Sequence, residues 1–410
     1  MNFKRIRRLF AKIDESKHKN ESIELILKTT ALKKKLLIKK FKLFSKITYE
    51  SEFLPYFAVR VKPEFAFHIA NFVHKNIEHE TISFVMQELN YVKSLEISEK
   101  VYALSTRSYS PKYLRNNIAN LWNLEAIGFY NIEQSKNLGS GVKIGVIDTG
   151  VDYTHSELKY HFESLKGFDF VDGQEPYDRN GHGTHVAGII AGNSCGIASD
   201  STLYSLRVLD EDGAGSEVLV MSAIEWALKN NVDIVNMSLG SSEASQAFED
   251  LCSFAYNSGL LMVAAAGNEY FGYSYPAAFE SVISVAAINK NKEHAPFSNI
   301  SDMNNISAPG TKILSCFPNN TYEILDGTSM AAPHVTGALA SALSKSGFNT
   351  SNASLETIME ETSERLINNT DYDYHDVFGA GLLRVDLMLD QLSNYALAYK
   401  IKSFLIKNER

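Results

Sequence analysis

The stretch VKIGVIDTG, residues 142–150, joins a short apolar run to an acidic end. The run 142–147 is as short as a typical strand and mostly apolar, which favours a strand that is buried on both faces of a sheet. Asp148 follows it directly, before the chain turns. Because ligands of open parallel sheets bind at the carboxyl ends of the strands, this carboxylate is the first candidate functional group.

Four more apolar runs continue the pattern, namely TLYSLRVL (202–209), VDIVNMSL (232–239), LLMVAAA (260–266) and SVISVAAI (281–288). Segments with the apolar spacing of helices, 216–230 and 247–259, lie between them. Strands and helices that alternate over such short connections predict a parallel sheet with helices on both faces. The predicted fold class is therefore α/β.

The motif NGHGTHVAG, residues 180–188, places His182 between two glycines at the predicted start of a helix. Glycine permits close backbone approach, which leaves the imidazole available to a partner. His185 lies three residues further on, so a zinc pair is one hypothesis for the two histidines. The HExxH pattern and a nearby carboxylate ligand are both missing. We therefore expect His185 to pack internally and to orient the turn.

Ser329 lies in GTSMAAPHV, residues 327–335, at the predicted start of a small-residue helix. The free N–H groups and the dipole at a helix N-terminus favour negative charge. This suits a nucleophile whose attack creates an oxyanion. Asn268, which follows the apolar run 260–266, would place a side-chain amide donor at a strand end. A serine nucleophile needs such donors, a base, and a group that orients the base.

Four segments resemble the subtilisin-like serine proteases, the S8 peptidase family: GVIDTGVD (145–152), NGHGTHVAGIIAG (180–192), AAAGNE (264–269) and GTSMAAPHV (327–335). They occur in the Asp–His–Ser order of that family, and the resemblance extends over residues 137–389. It implies a subtilisin-like α/β fold, a parallel sheet with helices on both faces. It also implies a serine endopeptidase, which hydrolyses peptide bonds without a cofactor.

The resemblance implies a role for each candidate catalytic residue. Ser329 attacks the scissile carbonyl, His182 takes its proton and later gives it to the leaving amine, and Asp148 orients the imidazole. The Asn268 side chain and the Ser329 N–H form the oxyanion hole. A rival hypothesis, a pseudoenzyme that keeps the fold as a binding module, would be favoured by an altered triad, and all three positions are intact.

The resemblance also implies a substrate cleft. Two segments would pair with an extended peptide as neighbouring strands, and a third would line the pocket for the residue before the scissile bond. These residues are Gly213, Ala214, Gly215, Ser238, Leu239, Gly240, Ala265, Ala266 and Gly267. Ser274 stands where a glycine often forms the pocket floor, so we expect a pocket of reduced volume.

One departure from the family concerns metals. In family members with a tight calcium site, a loop rich in oxygen ligands interrupts the histidine-bearing helix. Here only Asn193, Ser194 and Cys195 separate Gly192 from Gly196. Calcium takes 6–8 oxygen ligands, which so short a turn cannot supply. We therefore expect no metal site.

The remaining sequence divides into four segments. Residues 1–49 form a basic, helical segment, and residues 50–108 resemble the small α/β prodomain of the family. Within the latter, 57–61 and 94–104 are predicted to be extended and 64–76 helical. Residues 109–136 are a linker with a short helix around 118–127, the catalytic domain spans 137–390, and 391–410 form a basic tail.

If the prodomain resemblance holds, this segment is a partner of the chain's own catalytic domain. Val101–Ser105 would lie in the cleft as an added strand, and the enzyme would cut its own chain between Leu104 and Tyr109. The alternative is a structural subdomain that stays attached. For substrates, the alternative to a general degradative protease is one that matures a dedicated precursor or leader peptide.

The composition and the charge of the chain limit which partners and which cellular location are expected. The 410 residues include 45% apolar and 21% charged residues, an ordinary globular mix. Residues 1–49 contain 15 Lys/Arg and 4 Asp/Glu, whereas the net charge of the whole chain is −8. A secretory signal, a transmembrane run and nucleic-acid motifs are not found, and three cysteines form no disulfide framework. We expect a cytoplasmic protein without nucleic-acid partners, and contact of the basic N-terminus with an anionic membrane surface stays open.

Overall fold

The computed structural model describes residues 3–19, 21–42, 45–75, 92–105, 107–109, 121–132 and 137–393. They form two compact units. The first comprises residues 1–100 with 216–225 and 244–251, and the second comprises 101–215, 226–243 and 252–410. Most of the predicted linker, residues 110–120 and 133–136, and nearly all of the predicted tail, residues 394–410, lie outside the described residues.

The first unit contains a four-stranded antiparallel sheet in the order β2-β3-β1-β4. Apolar side chains from the sheet and its helices form one core, which includes Leu25, Leu37, Phe57 and Ile69. Its elements are α1 (Phe3–Lys19), β1 (Ile23–Lys28), α2 (Ala31–Phe41), β2 (Lys46–Glu50), β3 (Tyr56–Val61), α3 (Pro63–Lys75) and β4 (Ser94–Ile97).

The expectation that residues 1–49 form a separate helical segment is wrong. Ile23–Lys28 is a central strand that pairs with β3 on one side and with β4 on the other. The basic residues of α2 suggested helix for the whole segment, but strand pairing over six positions with β3 decides the structure of β1. The division at residue 49 therefore cuts through one sheet and one core.

The second unit is built on a seven-stranded parallel sheet in the order β15-β14-β13-β11-β7-β9-β8. All five strands that the sequence predicted are present. The strands are β7 (Lys143–Asp148), β8 (Gly167–Asp169), β9 (Thr202–Arg207), β11 (Ile234–Met237), β13 (Leu261–Ala265), β14 (Ile283–Ile288) and β15 (Ile306–Pro309). The parallel α/β architecture predicted from the sequence is confirmed.

Two buried helices pack on this sheet and carry the histidine and serine motifs, α5 (His182–Ala191) and α8 (Thr328–Lys345). Four short strands complete the region around the sheet's carboxyl edge, namely β5 (Lys100–Ala103), β6 (Arg107–Tyr109), β10 (Ala214–Ser216) and β12 (Leu239–Gly240). A hairpin is formed by β16 (Ile313–Phe317) and β17 (Thr321–Asp326).

The other helices are α4 (Trp122–Ala126), α6 (Glu217–Lys229), α7 (Gln246–Asn257), α9 (Asn352–Glu361) and α10 (Tyr374–Phe378), and residues 385–393 are helical. α4 lies within the short helix predicted at 118–127. Among the described residues, no helix combines the length and the apolar character that crossing a membrane requires. The expected cytoplasmic location stays a prediction.

Candidate active site

The strand β7 ends at Asp148, and the helix α5 begins at His182. The His182 Nδ1 atom lies 2.8 Å and 3.0 Å from the two carboxylate oxygens of Asp148. A Cβ at Gly183 would lie 2.1 Å from the Gly150 carbonyl oxygen. Only glycine therefore lets the start of α5 approach the end of β7 closely enough for this contact.

A buried carboxylate that the sequence analysis missed, Asp178, organises the turn before His182. It accepts hydrogen bonds from the backbone N–H groups of Asn180, Gly181 and Thr184 and from the Thr149 and Thr184 hydroxyls, at 2.6–3.0 Å. Burial raises the pKa of the Asp178 carboxyl, although these bonds oppose the rise. Its position two residues before the Asn-Gly of the motif was the available signal.

The electrostatic surroundings of His182 favour its protonated form. Burial lowers the pKa of the imidazole, but the charge of Asp148 and the hydrogen bond to it, with the charge of Asp178, outweigh burial. The pKa of His182 therefore lies above its ordinary value. A base held by a carboxylate on one ring nitrogen can take a proton on the other.

His185, three residues along α5, has a different environment. Its Nε2 lies 3.1 Å from the carbonyl oxygens of Ile313 and Glu323 in the β16–β17 hairpin. Burial lowers the pKa of His185 to about 3, so the ring is neutral and donates through Nε2. The structure thus agrees with the packed role predicted for His185. The described residues contain no cluster of three or more metal-ligating side chains.

Ser329 is fully buried in the first turn of α8. Its hydroxyl donates to the Ser238 carbonyl oxygen at 2.9 Å, and the Ser238 hydroxyl donates to the Ser329 carbonyl at 2.8 Å. The His182 Nε2 atom has no hydrogen-bond partner among the residues that the structure describes. The Ser329 hydroxyl therefore bonds Ser238 in this conformation, and its proton transfer to His182 stays a prediction.

The Asn268 side chain is fixed by a residue that the sequence analysis passed over, Thr328. The Asn268 Oδ1 atom accepts from the Thr328 N–H at 3.0 Å and from its hydroxyl at 2.9 Å. The Asn268 Nδ2 atom is then turned toward the Leu104 carbonyl oxygen, to which it donates at 2.7 Å. The Asn268 amide thus donates to the carbonyl oxygen of a peptide bond, and its part in an oxyanion hole stays a prediction.

Leu104 follows β5, which lies between β10 and β12 in a three-stranded sheet. The Ala103 N–H donates to the Gly213 carbonyl at 3.0 Å, and the Leu104 N–H donates to the Ser238 carbonyl at 3.3 Å. Leu239 is the register partner of Ala103. Residues 100–104 thus lie between the two segments that the sequence analysis singled out.

The Leu104 side chain is buried and lies close to Gly240. A Cβ at Gly240 would lie 3.0 Å from Leu104 Cδ1 and 2.1 Å from Ser274 Oγ. Gly240 therefore leaves the space that the leucine uses, and Ser274, which is buried, borders the same space. The expectation that Ser274 reduces the volume of the substrate pocket stays a prediction.

The other predicted substrate-binding residues lie close in the chain to these contacts. Ala214 and Gly215 belong to β10, the strand next to β5. Ala265 and Ala266 are buried at the carboxyl end of β13, and the Gly267 N–H donates to the Thr328 hydroxyl at 3.2 Å. Their part in substrate binding stays a prediction.

The turn that follows α5, where calcium was not expected, is held by Glu157. Its carboxylate accepts from the Ser194 N–H at 2.7 Å, from the Ser194 hydroxyl at 2.9 Å and from the Tyr322 hydroxyl at 2.9 Å. All three donors are neutral hydrogen-bonding groups. Calcium independence stays a prediction, and a chelator is the reagent that tests it.

Comparison with known proteins identifies the family. The model of the subtilase family, peptidase S8, matches residues 139–381. The chain belongs to the subtilase family. It is 42% identical over 260 residues to subtilisin DY of Bacillus licheniformis, a match that covers 60% of this chain and 90% of that protein. It is 41% identical over 259 residues to subtilisin NAT of Bacillus subtilis subsp. natto, covering 60% of this chain and 65% of the relative.

A third relative, the thermostable alkaline protease of Halalkalibacterium halodurans, is 43% identical over 224 residues, 52% of this chain and 61% of its own length. The resemblance stated from the sequence motifs is therefore confirmed. This subtilase is a serine endopeptidase with the α/β fold of its family. The roles of its individual residues are taken up as proposals below.

Proposed function

We propose that this subtilase hydrolyses peptide bonds with Ser329, His182 and Asp148 as its triad, and that its first substrate is its own Leu104–Ser105 bond. The observation that carries the proposal is the 2.7 Å hydrogen bond from Asn268 Nδ2 to the Leu104 carbonyl oxygen. It supports Leu104 as the residue whose carbonyl is attacked. The residues before it then act as the prodomain.

The reaction follows from the positions of these groups. The Ser329 hydroxyl leaves the Ser238 carbonyl, gives its proton to His182 Nε2, and its oxygen attacks the Leu104 carbonyl carbon. The negative charge that develops on the Leu104 oxygen is stabilised by Asn268 and by the backbone N–H of Ser329. His182 then gives the proton to the Ser105 amine as the peptide bond breaks. Water completes the cycle by hydrolysing the acyl ester on Ser329.

Close approach of the chain to the nucleophile supports this site of attack. A Cβ at Gly327 would lie 2.5 Å from the Leu104 carbonyl oxygen and 3.1 Å from Ser105 Cα. Gly327 also has φ 151°, in the region that favours glycine. The backbone on both sides of the Leu104–Ser105 bond therefore passes directly over the residue that precedes Thr328 and Ser329.

Self-processing is tested by the intact masses of three purified proteins. The wild type should yield fragments 1–104 and 105–410, whereas Ser329→Ala should remain a single chain. Ser341→Ala removes a buried hydroxyl from the same helix, where it donates to the Gly337 carbonyl, and it should be processed like the wild type. A full-length mass for the wild type, or a cut in Ser329→Ala, would contradict the proposal.

The role of Asn268 is tested by kinetics on a peptide substrate. Asn268→Ala should lower kcat by about 10²–10³-fold, the loss that removal of this donor causes in subtilisin itself. The amide acts on the charge that appears in the transition state, so KM should change little. An effect confined to KM would make Asn268 a binding residue only.

The breadth of the substrate range separates two forms of this function. A general degradative protease should digest casein, whereas a protease that matures a dedicated precursor or leader peptide should leave it intact. The buried Leu104 side chain and the buried Ser274 both lie close to Gly240, which supports a preference for leucine over large aromatic residues before the scissile bond. A peptide library that varies this one residue measures that preference, and Ser274→Gly should relax it toward phenylalanine and tyrosine.

A further inference from the structure

The backbone on both sides of Asn268 is bonded to one buried residue, Asn299. The Asn299 N–H donates to the Gly267 carbonyl at 3.0 Å, and the Glu269 N–H donates to Asn299 Oδ1 at 2.8 Å. The residue before Asn268 and the residue after it are thus both tied to the same side. The position of the Asn268 backbone is therefore set by Asn299, 31 positions further along the chain.

The Glu269 carboxylate adds two further hydrogen bonds to this arrangement. Its Oε2 atom accepts from Asn299 Nδ2 at 3.1 Å and from the Asn268 N–H at 2.9 Å. Gly267 leaves room for both side chains, since a Cβ there would lie 2.2 Å from Asn299 Nδ2 and 2.8 Å from Glu269 Oε2. Asn299 and Glu269 thus form a reciprocal pair, in which each residue donates one hydrogen bond to the other.

Asn299 is itself firmly held. It is buried, and its carbonyl accepts from the Asn304 side-chain amide at 3.0 Å. Asn304 is buried as well and donates to the Asp376 carbonyl at 2.7 Å. The Asn299 side-chain amide has both its oxygen and its nitrogen bonded, so any other orientation would leave buried polar atoms without partners. Asn299 is therefore a fixed support for the chain that it contacts.

The side chain of Asn268 is held by a different segment. Its Oδ1 atom accepts from the N–H and the hydroxyl of Thr328, and its Nδ2 atom donates to the Leu104 carbonyl oxygen. Thr328 thus sets the rotation of the amide, whereas Asn299 sets the backbone from which the amide extends. A donor that is already in place costs no reorganisation when negative charge develops on the carbonyl oxygen.

We infer that Asn299 is a positioning residue for the Asn268 amide, which it holds at the carbonyl oxygen of the scissile bond. The inference rests on the proposed function and deepens it, because Asn299 acts on the reaction only through Asn268. A displacement of a reacting group by a fraction of an ångström lowers the rate of the chemical step without abolishing binding. The effect of Asn299 should therefore appear in kcat.

The first test is Asn299→Ala, which removes the side-chain amide and keeps the backbone N–H that bonds Gly267. Each variant is incubated until its intact mass shows fragment 105–410 and is then assayed on a leucine peptide. Asn299→Ala should lower kcat about tenfold and change KM by less than about twofold. A variant that cuts its own chain too slowly for this assay is compared by the time course of its self-processing.

Asn305→Ala is the matched control. The Asn305 side chain also accepts a backbone N–H at 2.8 Å, from Ser284, in the same part of the second unit. Both alanine variants should lower the melting temperature, measured in the Ser329→Ala background, because each leaves a backbone N–H without its partner. Asn305→Ala should keep kcat within about twofold of the wild type, since a loss of stability alone does not move Asn268.

A second variant, Glu269→Ala, covers the case in which Asn299→Ala does not fold. Glu269 is exposed, so its truncation should leave the fold intact. It removes the carboxylate that bonds Asn299 and the Asn268 N–H, but it keeps the Glu269 N–H that donates to Asn299 Oδ1. The loss in kcat should therefore be smaller, about threefold. An unchanged kcat in both Glu269→Ala and Asn299→Ala would overturn the inference.

A double-mutant cycle with Asn268→Ala decides how Asn299 acts. If Asn299 positions the Asn268 amide, its effect should vanish once that amide is removed, so the double variant should match Asn268→Ala within about twofold in kcat. The same loss in both backgrounds, or a loss confined to KM, would overturn the inference while leaving the triad in place. An unchanged kcat in Asn268→Ala itself would overturn the proposed oxyanion hole and this inference with it.

Discussion

His182 and His185 lie one turn apart in the same helix, and both are buried, yet their proton affinities differ in direction. Burial lowers the pKa of both rings, and for His185 nothing reverses it, so its pKa falls to about 3. For His182 the Asp148 carboxylate and the hydrogen bond to it outweigh burial, and its pKa rises. His185 contacts two backbone carbonyls, which orient the ring without supplying a full charge.

The difference teaches that burial alone lowers the pKa of a histidine, whereas an adjacent carboxylate raises it and so lets the ring accept a proton. A buried histidine with neutral partners is a structural hydrogen-bond donor, and one with a carboxylate on Nδ1 can hold a proton during catalysis. The helix α5 carries one of each. The first joins the helix to the sheet at Asp148, and the second joins it to the β16–β17 hairpin.

The largest effect is expected from Asp148→Asn, which removes the anion and keeps the shape. Peptide hydrolysis should fall by about 10⁴-fold, as it does when the carboxylate of a serine protease triad becomes an amide. The measurement is kcat on a leucine peptide, with circular dichroism as the control for folding. A folded variant within tenfold of the wild type would remove the proposed distinction between the two histidines.

His185→Ala should act on stability. The carbonyls of Ile313 and Glu323 lose this donor and a cavity forms, which together cost about 2–4 kcal/mol of the free energy of unfolding. His185→Gln, which keeps an amide donor, should recover part of this. Both variants are measured by denaturant unfolding in the Ser329→Ala background, so that the chain stays intact. A loss of stability as large in the glutamine as in the alanine variant would count against the hydrogen bonds.

Glu217 in the first unit extends the comparison to a buried acid. Burial raises the pKa of its carboxyl to about 8, and the charge of Glu99 adds to the rise, while hydrogen bonds from Ser245 oppose it. Glu99 itself forms ion pairs with Arg8 and Lys12 of α1. Glu217 therefore accepts a hydrogen bond from a hydroxyl and lies near a like charge. No cation is among the groups that shift its pKa.

The sign of the resulting pH dependence follows from the two pKa values. Between the ordinary value of 4.5 and about 8, the folded unit holds a proton on Glu217 that the unfolded chain releases. The contribution of Glu217 should thus make the unit less stable as pH rises across this window. In the Ser329→Ala background, Glu217→Gln should lessen the fall in melting temperature from pH 5 to pH 8. An unchanged slope would refute the assignment.

The smallest effect concerns the pH profile of hydrolysis. His182 acts as a base only when neutral, and its pKa is raised above 6.5. Activity should therefore rise with pH through a midpoint above 6.5. His185→Gln should leave this midpoint unchanged, because His185 is already neutral there. A midpoint that moves by a full pH unit in His185→Gln would show that the two rings titrate together.

The candidate catalytic motifs could be recognised in the sequence because each places a residue with a reactive side chain beside glycines or at the end of a strand. The end of an apolar run marked Asp148, and paired glycines marked His182. Asp178 and Thr328 escaped notice because their importance lies in which backbone N–H groups and side chains they meet, as Thr328 does with Asn268. Such partners are set by the fold of distant segments.

The N-terminal hundred residues show the same limit in the fold itself. The segment IELILK has too few residues for its spacing to separate a helix from a strand, and the lysine-rich sequence after it favours a helix. Pairing with β3 and β4, whose partner residues lie 28–38 and 66–72 positions further along the chain, determines that it is a strand. Non-local hydrogen bonds of this kind leave no local signature.

The sequence by itself determined the parallel α/β architecture, the family and the residue types of the active site, because strand–helix periodicity and glycine-bracketed motifs are local properties. Only the tertiary structure decided that Leu104 is the residue whose carbonyl meets Asn268, that His185 joins α5 to the hairpin, and that β6 pairs with β17. Each of these depends on backbone groups brought together across long stretches of chain, and every peptide unit carries the same N–H and C=O, so that only the fold selects which of them meet.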